Sequence, residues 1–131
     1  IDMKAESRLV EIGFGEWEGR TAGELEQEEP GQVQRFLKDP LNNTPPGAET
    51  LKEFETRIIN AWNDVLQQYY GQHVLLIGHA GVMRMIIRHV LDMPIDRMYR
   101  IQVANAAITR VRVDGKGANA FPRLLFHDGQ L

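Results

Sequence analysis

The sequence contains no cysteine, which excludes a disulfide scaffold, a thiolate zinc site and a cysteine nucleophile together. It also lacks any apolar run near the ~18 residues of a bilayer-spanning helix, and any basic N-terminal region leading into an apolar stretch. No membrane partner and no targeting segment are therefore expected, and the expected location is cytoplasmic. Internal repeats, low-complexity tracts and interdomain linkers are absent as well. The 131 residues are expected to form one domain, residues 1–131, large enough to bury roughly two thirds of its unfolded surface without staples.

Charge of one sign is also scarce overall. The net charge is −3, from 15 basic and 18 acidic residues, which argues against nucleic acid as the partner. Its distribution is uneven: residues 1–70 hold 7 basic and 14 acidic side chains, residues 71–131 hold 8 and 4. The positive half suits an anionic ligand, although a solvated surface is the commoner meaning of such a swing.

The stretch from Leu9 to Gly19 mixes glycines, carboxylates and large apolar residues without a regular period, as an ordered loop does. Thr21 with Glu24 has the capping-box spacing of a short helix, which Pro30 interrupts; a second, carrying Val33, Phe36 and Leu37, ends before Pro40. Leu41 to Ala48 is a loop. Thr50 and Glu53 repeat the capping box, and Leu51, Phe54, Ile58, Trp62, Val65 and Tyr69 follow at intervals of three and four. This is the clearest helix in the chain.

Val74 to Ile77 is apolar on both faces, the pattern of a strand buried between helices in a parallel sheet. Val82 to Leu91 is apolar nearly all round apart from Arg84, Arg88 and His89, which predicts a largely buried helix. Pro94 can open a further helical turn. Arg100 to Val103, Ile108 to Val113 and Leu124 to Phe126 are expected strands, the middle one wet at Arg110 and Arg112, with a turn over Asp114 to Asn119.

A buried strand at Val74 needs neighbours on both sides, and the residues ahead of its preceding helix supply no comparable apolar strand. The first residue is Ile1, and the chain opens as if part-way through a fold. Sheet-forming sequence is therefore expected upstream.

The densest chemical signal is Gly78-His79-Ala80-Gly81, at the carboxyl end of that expected strand and the amino end of the next helix. Ligands of open α/β sheets bind at such points. Free N–H groups and the helix dipole favour an anion there, and a histidine can donate to a phosphoryl oxygen. An isolated histidine at a tight turn is more often structural; its position between glycines after an all-apolar run argues for function. No serine stands at the centre, so a nucleophile elbow is excluded.

The second signal is the group Glu11, Glu16 and Glu18, set among Leu9, Ile12, Phe14 and Trp17. A carboxyl desolvated by such side chains becomes a better general acid. Spacing alone does not choose among the three.

Taken together, Leu9-Val10-Glu11-Ile12-Gly13-Phe14-Gly15-Glu16-Trp17-Glu18-Gly19, then Pro46-Gly47-Ala48-Glu49-Thr50 with Arg57, then Ile77-Gly78-His79-Ala80-Gly81-Val82-Met83-Arg84 resemble the successive signatures of the histidine phosphatase superfamily, the phosphoglycerate mutase-like fold. Order and spacing match across essentially the whole chain. The resemblance implies an α/β class, a three-layer α/β/α sandwich, here lacking its N-terminal strand–helix–strand portion. It implies phosphomonoester hydrolysis through a phosphohistidine in the parent protein. Glu11 would protonate the leaving oxygen, His79 would bind and stabilise the transferring phosphoryl group, and the Ala80 N–H would join the same pocket. A small phosphorylated substrate is the implied partner, with no cofactor and no metal; His73, His89 and His127 show no ligand spacing with carboxylates. Glu49 and Arg57 match a pair that orders the pocket mouth, and Arg84 and Arg88 fit helix-surface ion pairing.

The departure from the family is at the nucleophile. No Arg-His-Gly triplet occurs in the sequence, and the second pocket arginine has no counterpart. The short stretch between Glu11 and Pro46 is similar to the phosphatase branch, in particular to α-ribazole phosphatases and broad-specificity phosphatases, rather than to the mutases, which carry a longer insertion. A different class of reading stays open beside it, a non-catalytic fragment or interaction module that binds phosphate without turnover.

Overall fold

The computed structural model describes residues 2–129. Among these residues four α-helices are formed, α1 (Ala22–Glu28), α2 (Gln32–Lys38), α3 (Leu51–Gln68) and α4 (Ala80–Val90), with strands β1 (Ile108–Asp114) and β2 (Phe121–Gly129) after them. Short 3-10 turns lie at Ser7–Leu9, Gly15–Trp17, Ile95–Arg100 and Gly117–Asn119. Both expected capping boxes close, Thr21 with Glu24 on α1 and Thr50 with Glu53 on α3. Each satisfies two N–H groups that a helix start otherwise leaves orphaned.

α3 buries Leu51, Phe54, Ile58, Ala61 and Trp62 along one stripe, and α4 buries Gly81, Val82, Met85, Ile87 and Val90. Phe54, Ile58, Val82 and Met85 meet Ile12, Leu51, Ile95 and Met98 in one core. Arg88 links the two helices at the edge of this core, donating at 2.9 Å to Glu55 of α3 and to the Met93 carbonyl. The ion pair expected on the surface of α4 thus runs between helices. Arg84 finds a carbonyl instead, that of Ile101, at 2.7 Å. α4 stops at a left-handed Asp92, φ 53°, with the Met93 N–H closing on the Arg88 carbonyl at 2.8 Å.

The sheet differs from expectation. Among the described residues it holds only β1 and β2, antiparallel, with Val111 opposite Leu124 and irregularities between Ile108 and Val111. Arg110 and Arg112 are exposed as the alternation predicts. β2 runs from Phe121 to Gly129, longer than Leu124 to Phe126, because pairing with β1 recruits both flanks. Arg100 to Val103 is not a strand: Pro94 opens the 3-10 turn Ile95–Arg100, which buries Ile95 and Met98 three residues apart on one side.

The most consequential difference is at Val74 to Ile77. This run joins no ladder, and Leu75 and Ile77 are 81% and 77% exposed. A strand buries both faces only where neighbours pair with its edges and helices cover it, and no described segment pairs with this one. Its carboxyl end nevertheless leads directly into α4, as expected.

Candidate active site

α4 starts without help from its own N-cap. His79 stands in that position with extended backbone (φ −114°, ψ 166°), and its side chain makes no capping bond. The cap comes instead from Glu11, 70 residues away, whose carboxylate accepts the Gly81 N–H at 3.0 Å through Oε2 and the Ile12 N–H at 2.9 Å through Oε1. A carboxylate at a helix N-terminus meets unpaired N–H donors and the positive end of the dipole. This singles out Glu11 from the three glutamates of the loop: Glu16 and Glu18 are exposed, and Glu18 caps only the Phe14 N–H.

The apolar surroundings expected of that carboxyl have a different centre. Phe14 and Trp17 set their rings edge-on to Phe36 of α2, at 6.0 and 5.4 Å, and Phe36 in turn meets Tyr99 at 5.1 Å. The aromatic residues of the loop thus anchor it to α2, and Glu11 is half-buried at its hydrogen-bonded end.

Arg57 of α3 fixes the backbone that carries Glu11. It donates to the carbonyls of Arg8 and Val10, each at 2.7 Å, and of Glu11 at 3.0 Å. Its remaining donors form a bidentate pair with Glu49 at 2.7 and 2.8 Å, and the guanidinium lies 4.7 Å above the Phe54 ring. The Arg57 guanidinium holds the Glu49 carboxyl below the ordinary carboxylate range. Glu49 belongs to the loop that returns the favour, its N–H donating to the Gly13 carbonyl at 2.9 Å while Glu16 N–H donates to Pro46 at 3.0 Å. Gly15 sits in this crossing with φ 57°, where a Cβ would strike the Pro46–Ala48 backbone.

Glu11, His79 and Ala80 line one open hollow of about 390 Å³, together with the unpaired run Leu75 to Gly78 and the segment 103–107. His79 is exposed within it, and Ala80 is half-buried as the first residue of α4. The resemblance implies one pocket for Glu11, His79 and Ala80, and the structure brings the three to one hollow; that Glu11 caps α4, and the parts played by Gly81, the Arg57 carbonyl clamp and the segment 103–107, are not written in the sequence. Glycine at 81 with a carboxylate on a distant loop has no local signature. No group of three His, Asp or Glu side chains suited to a metal stands among the described residues.

Residues 1–121 match the histidine phosphatase superfamily (branch 1), and the chain belongs to that superfamily. It is 30% identical over 131 residues to the bifunctional protein Rv2228c of Mycobacterium tuberculosis, covering all of this chain and 35% of that protein. In structure it is similar to a mycobacterial glucosyl-3-phosphoglycerate phosphatase solved with inorganic phosphate, with a TM-score of 0.80 and 20% identity over 95% of this chain and 63% of the other. The α-ribazole phosphatase of Shigella flexneri gives 0.74 and 24%, over 95% and 59%. The chain therefore carries part of this α/β fold, spanning about a third of the relative and three fifths of the solved phosphatases.

Proposed function

We propose that the whole protein hydrolyses small phosphomonoesters through a phosphohistidine, with Glu11 as the proton donor to the leaving oxygen and His79 as a stabiliser of the transferring phosphoryl group. The observation that carries this reading is the convergence of Glu11 and His79 on the N-terminus of α4 at one hollow. Helix N–H groups, among them that of Ala80, and an imidazole suit an anion there, and the Glu11 carboxyl beside them, in its protonated form, passes a proton to the alcohol as the P–O bond breaks and is left as the carboxylate. The same carboxylate then takes a proton from the water that attacks the phosphohistidine, returning the enzyme to its starting state. This chain has no Arg-His-Gly triplet, so the nucleophilic histidine is assigned to the part of the protein that the chain does not span.

The test is turnover of p-nitrophenyl phosphate by the full-length protein, with trapping of an acid-labile phosphohistidine. Glu11→Ala and His79→Ala should each cost more than about tenfold in kcat/KM, about 1.4 kcal/mol of barrier. Smaller losses in an active protein would overturn the roles assigned to them. The missing triplet favours a second reading for the 131 residues by themselves, a module that binds phosphate without turning it over, for which titration with inorganic phosphate is the measurement.

A further inference from the structure

The segment 103–107, which lines the hollow along with Glu11 and His79, connects the turn Ile95–Arg100 to β1 without regular structure. It is held at its base from two sides. Arg84 of α4 donates to the Ile101 carbonyl at 2.7 Å, and Nε2 of His127 on β2 lies 2.6 Å from the Gln102 carbonyl. A carbonyl can only accept, so Nε2 carries the proton, and in the neutral ring Nδ1 accepts the Thr109 hydroxyl at 2.8 Å. The tip closes with the Ala107 N–H on the Ala104 carbonyl at 3.2 Å, and Ala106 takes a left-handed φ of 58°, which a residue with a Cβ ordinarily avoids.

An anchored turn of this kind presents Asn105, exposed at its tip and among the residues that line the hollow. Its neighbours on that segment are Val103, Ala104, Ala106 and Ala107, with Met83 also lining the hollow. Along 103–107 the Asn105 carboxamide is therefore the side chain that can both donate and accept a hydrogen bond.

We propose that Asn105 is a specificity-determining residue, its carboxamide hydrogen-bonding a neutral hydroxyl or carbonyl oxygen of the alcohol portion of the phosphomonoester. The inference rests on the phosphomonoesterase reading above and adds to it a substrate class: esters whose alcohol carries an uncharged polar group close to the ester bond. A site that hydrogen-bonds a substrate hydroxyl discriminates against the analogue lacking it, because its own polar group then goes unpaired.

The experiment compares two esters on the full-length protein, glycerol 2-phosphate, with hydroxyls flanking the ester, and p-nitrophenyl phosphate, whose ring offers none there. Asn105→Ala should lower kcat/KM for glycerol 2-phosphate at least tenfold and leave that for p-nitrophenyl phosphate within about threefold; Asn105→Gln, which keeps the amide, should recover part of the loss. Equal losses on both esters would make Asn105 a support of the loop and overturn the proposal, as would no loss on either. A wild-type protein that hydrolyses p-nitrophenyl phosphate but not glycerol 2-phosphate overturns it too. If the wild type hydrolyses neither, the phosphatase reading fails first and this inference falls with it.

Discussion

The Glu11 carboxylate and the Gly81 N–H, 3.0 Å apart, tie a loop at one end of the chain to the first turn of α4, and the tie has room for no side chain at position 81. A Cβ built there would collide with the carboxylate. Alanine is otherwise the better helix former by about 1 kcal/mol. Gly81→Ala should therefore leave the melting temperature of the full-length protein nearly unchanged, the gain in propensity offsetting the lost charged hydrogen bond, while turnover of p-nitrophenyl phosphate falls at least tenfold. The double variant Glu11→Ala/Gly81→Ala isolates the cause. With the carboxylate gone the collision is gone, so the double variant should be no slower than Glu11→Ala, and additive losses would show that Gly81 acts some other way.

How much of this was legible in the sequence follows from the range of the forces involved. The capping boxes at Thr21 and Thr50 are contacts between residues three apart, and both are present where spacing put them. The stripe of α3 is likewise a local period. Val74 to Ile77 failed because burial of a strand is a property of its neighbours: the residues have the composition of a core strand, and Leu75 and Ile77 still lie exposed. At Arg100 the winning term was the turn set by Pro94, with Met98 buried behind it. In the site, local chemistry brought Glu11 and His79 under suspicion separately, and only the family resemblance set them in one pocket. Their meeting at one helix end depends on contacts 46 to 70 residues apart in the chain, the Arg57 clamp and the Gly81 N–H, which no local pattern announces.

The Glu49–Arg57 pair makes the shape of this loop depend on pH. Both side chains are about one fifth exposed, so solvent screens the pair only in part. Because the Glu49 carboxyl is held below its ordinary value of 4.5 by Arg57, it contributes stability that is fully present above that value and is lost as pH falls through the lower folded-state value. Glu49→Gln removes the contribution and leaves the guanidinium half paired. At pH 7 the variant should be less stable by about 2 kcal/mol in urea unfolding. The gap should close as the pH is lowered from about 4.5; a gap that persists unchanged to strongly acidic pH would mean that the charge on Glu49 is not what holds the loop.

Tyr99 presents the opposite case, a polar atom with nothing to bond. Its ring packs 5.1 Å from Phe36 and 5.7 Å from the Arg84 guanidinium, and its buried hydroxyl has no hydrogen-bond partner among the described residues. Burial first, and the negative charge of Glu11 next, push the phenol up to about 12, against a smaller opposing pull from Arg84. Desolvating a hydroxyl without a partner costs about 1 to 3 kcal/mol, so Tyr99→Phe, which keeps the ring, should raise the unfolding free energy at pH 7 by about 1 kcal/mol. The pH dependence supplies a second reading of the same atom. A folded-state value raised above the ordinary 10 means stability that is whole below pH 10 and is lost as the pH rises toward 12, while the unfolded chain ionises first. That alkaline decline should be weaker in Tyr99→Phe. A variant less stable than wild type by 1 kcal/mol or more at pH 7 would show instead that the hydroxyl is bonded in solution.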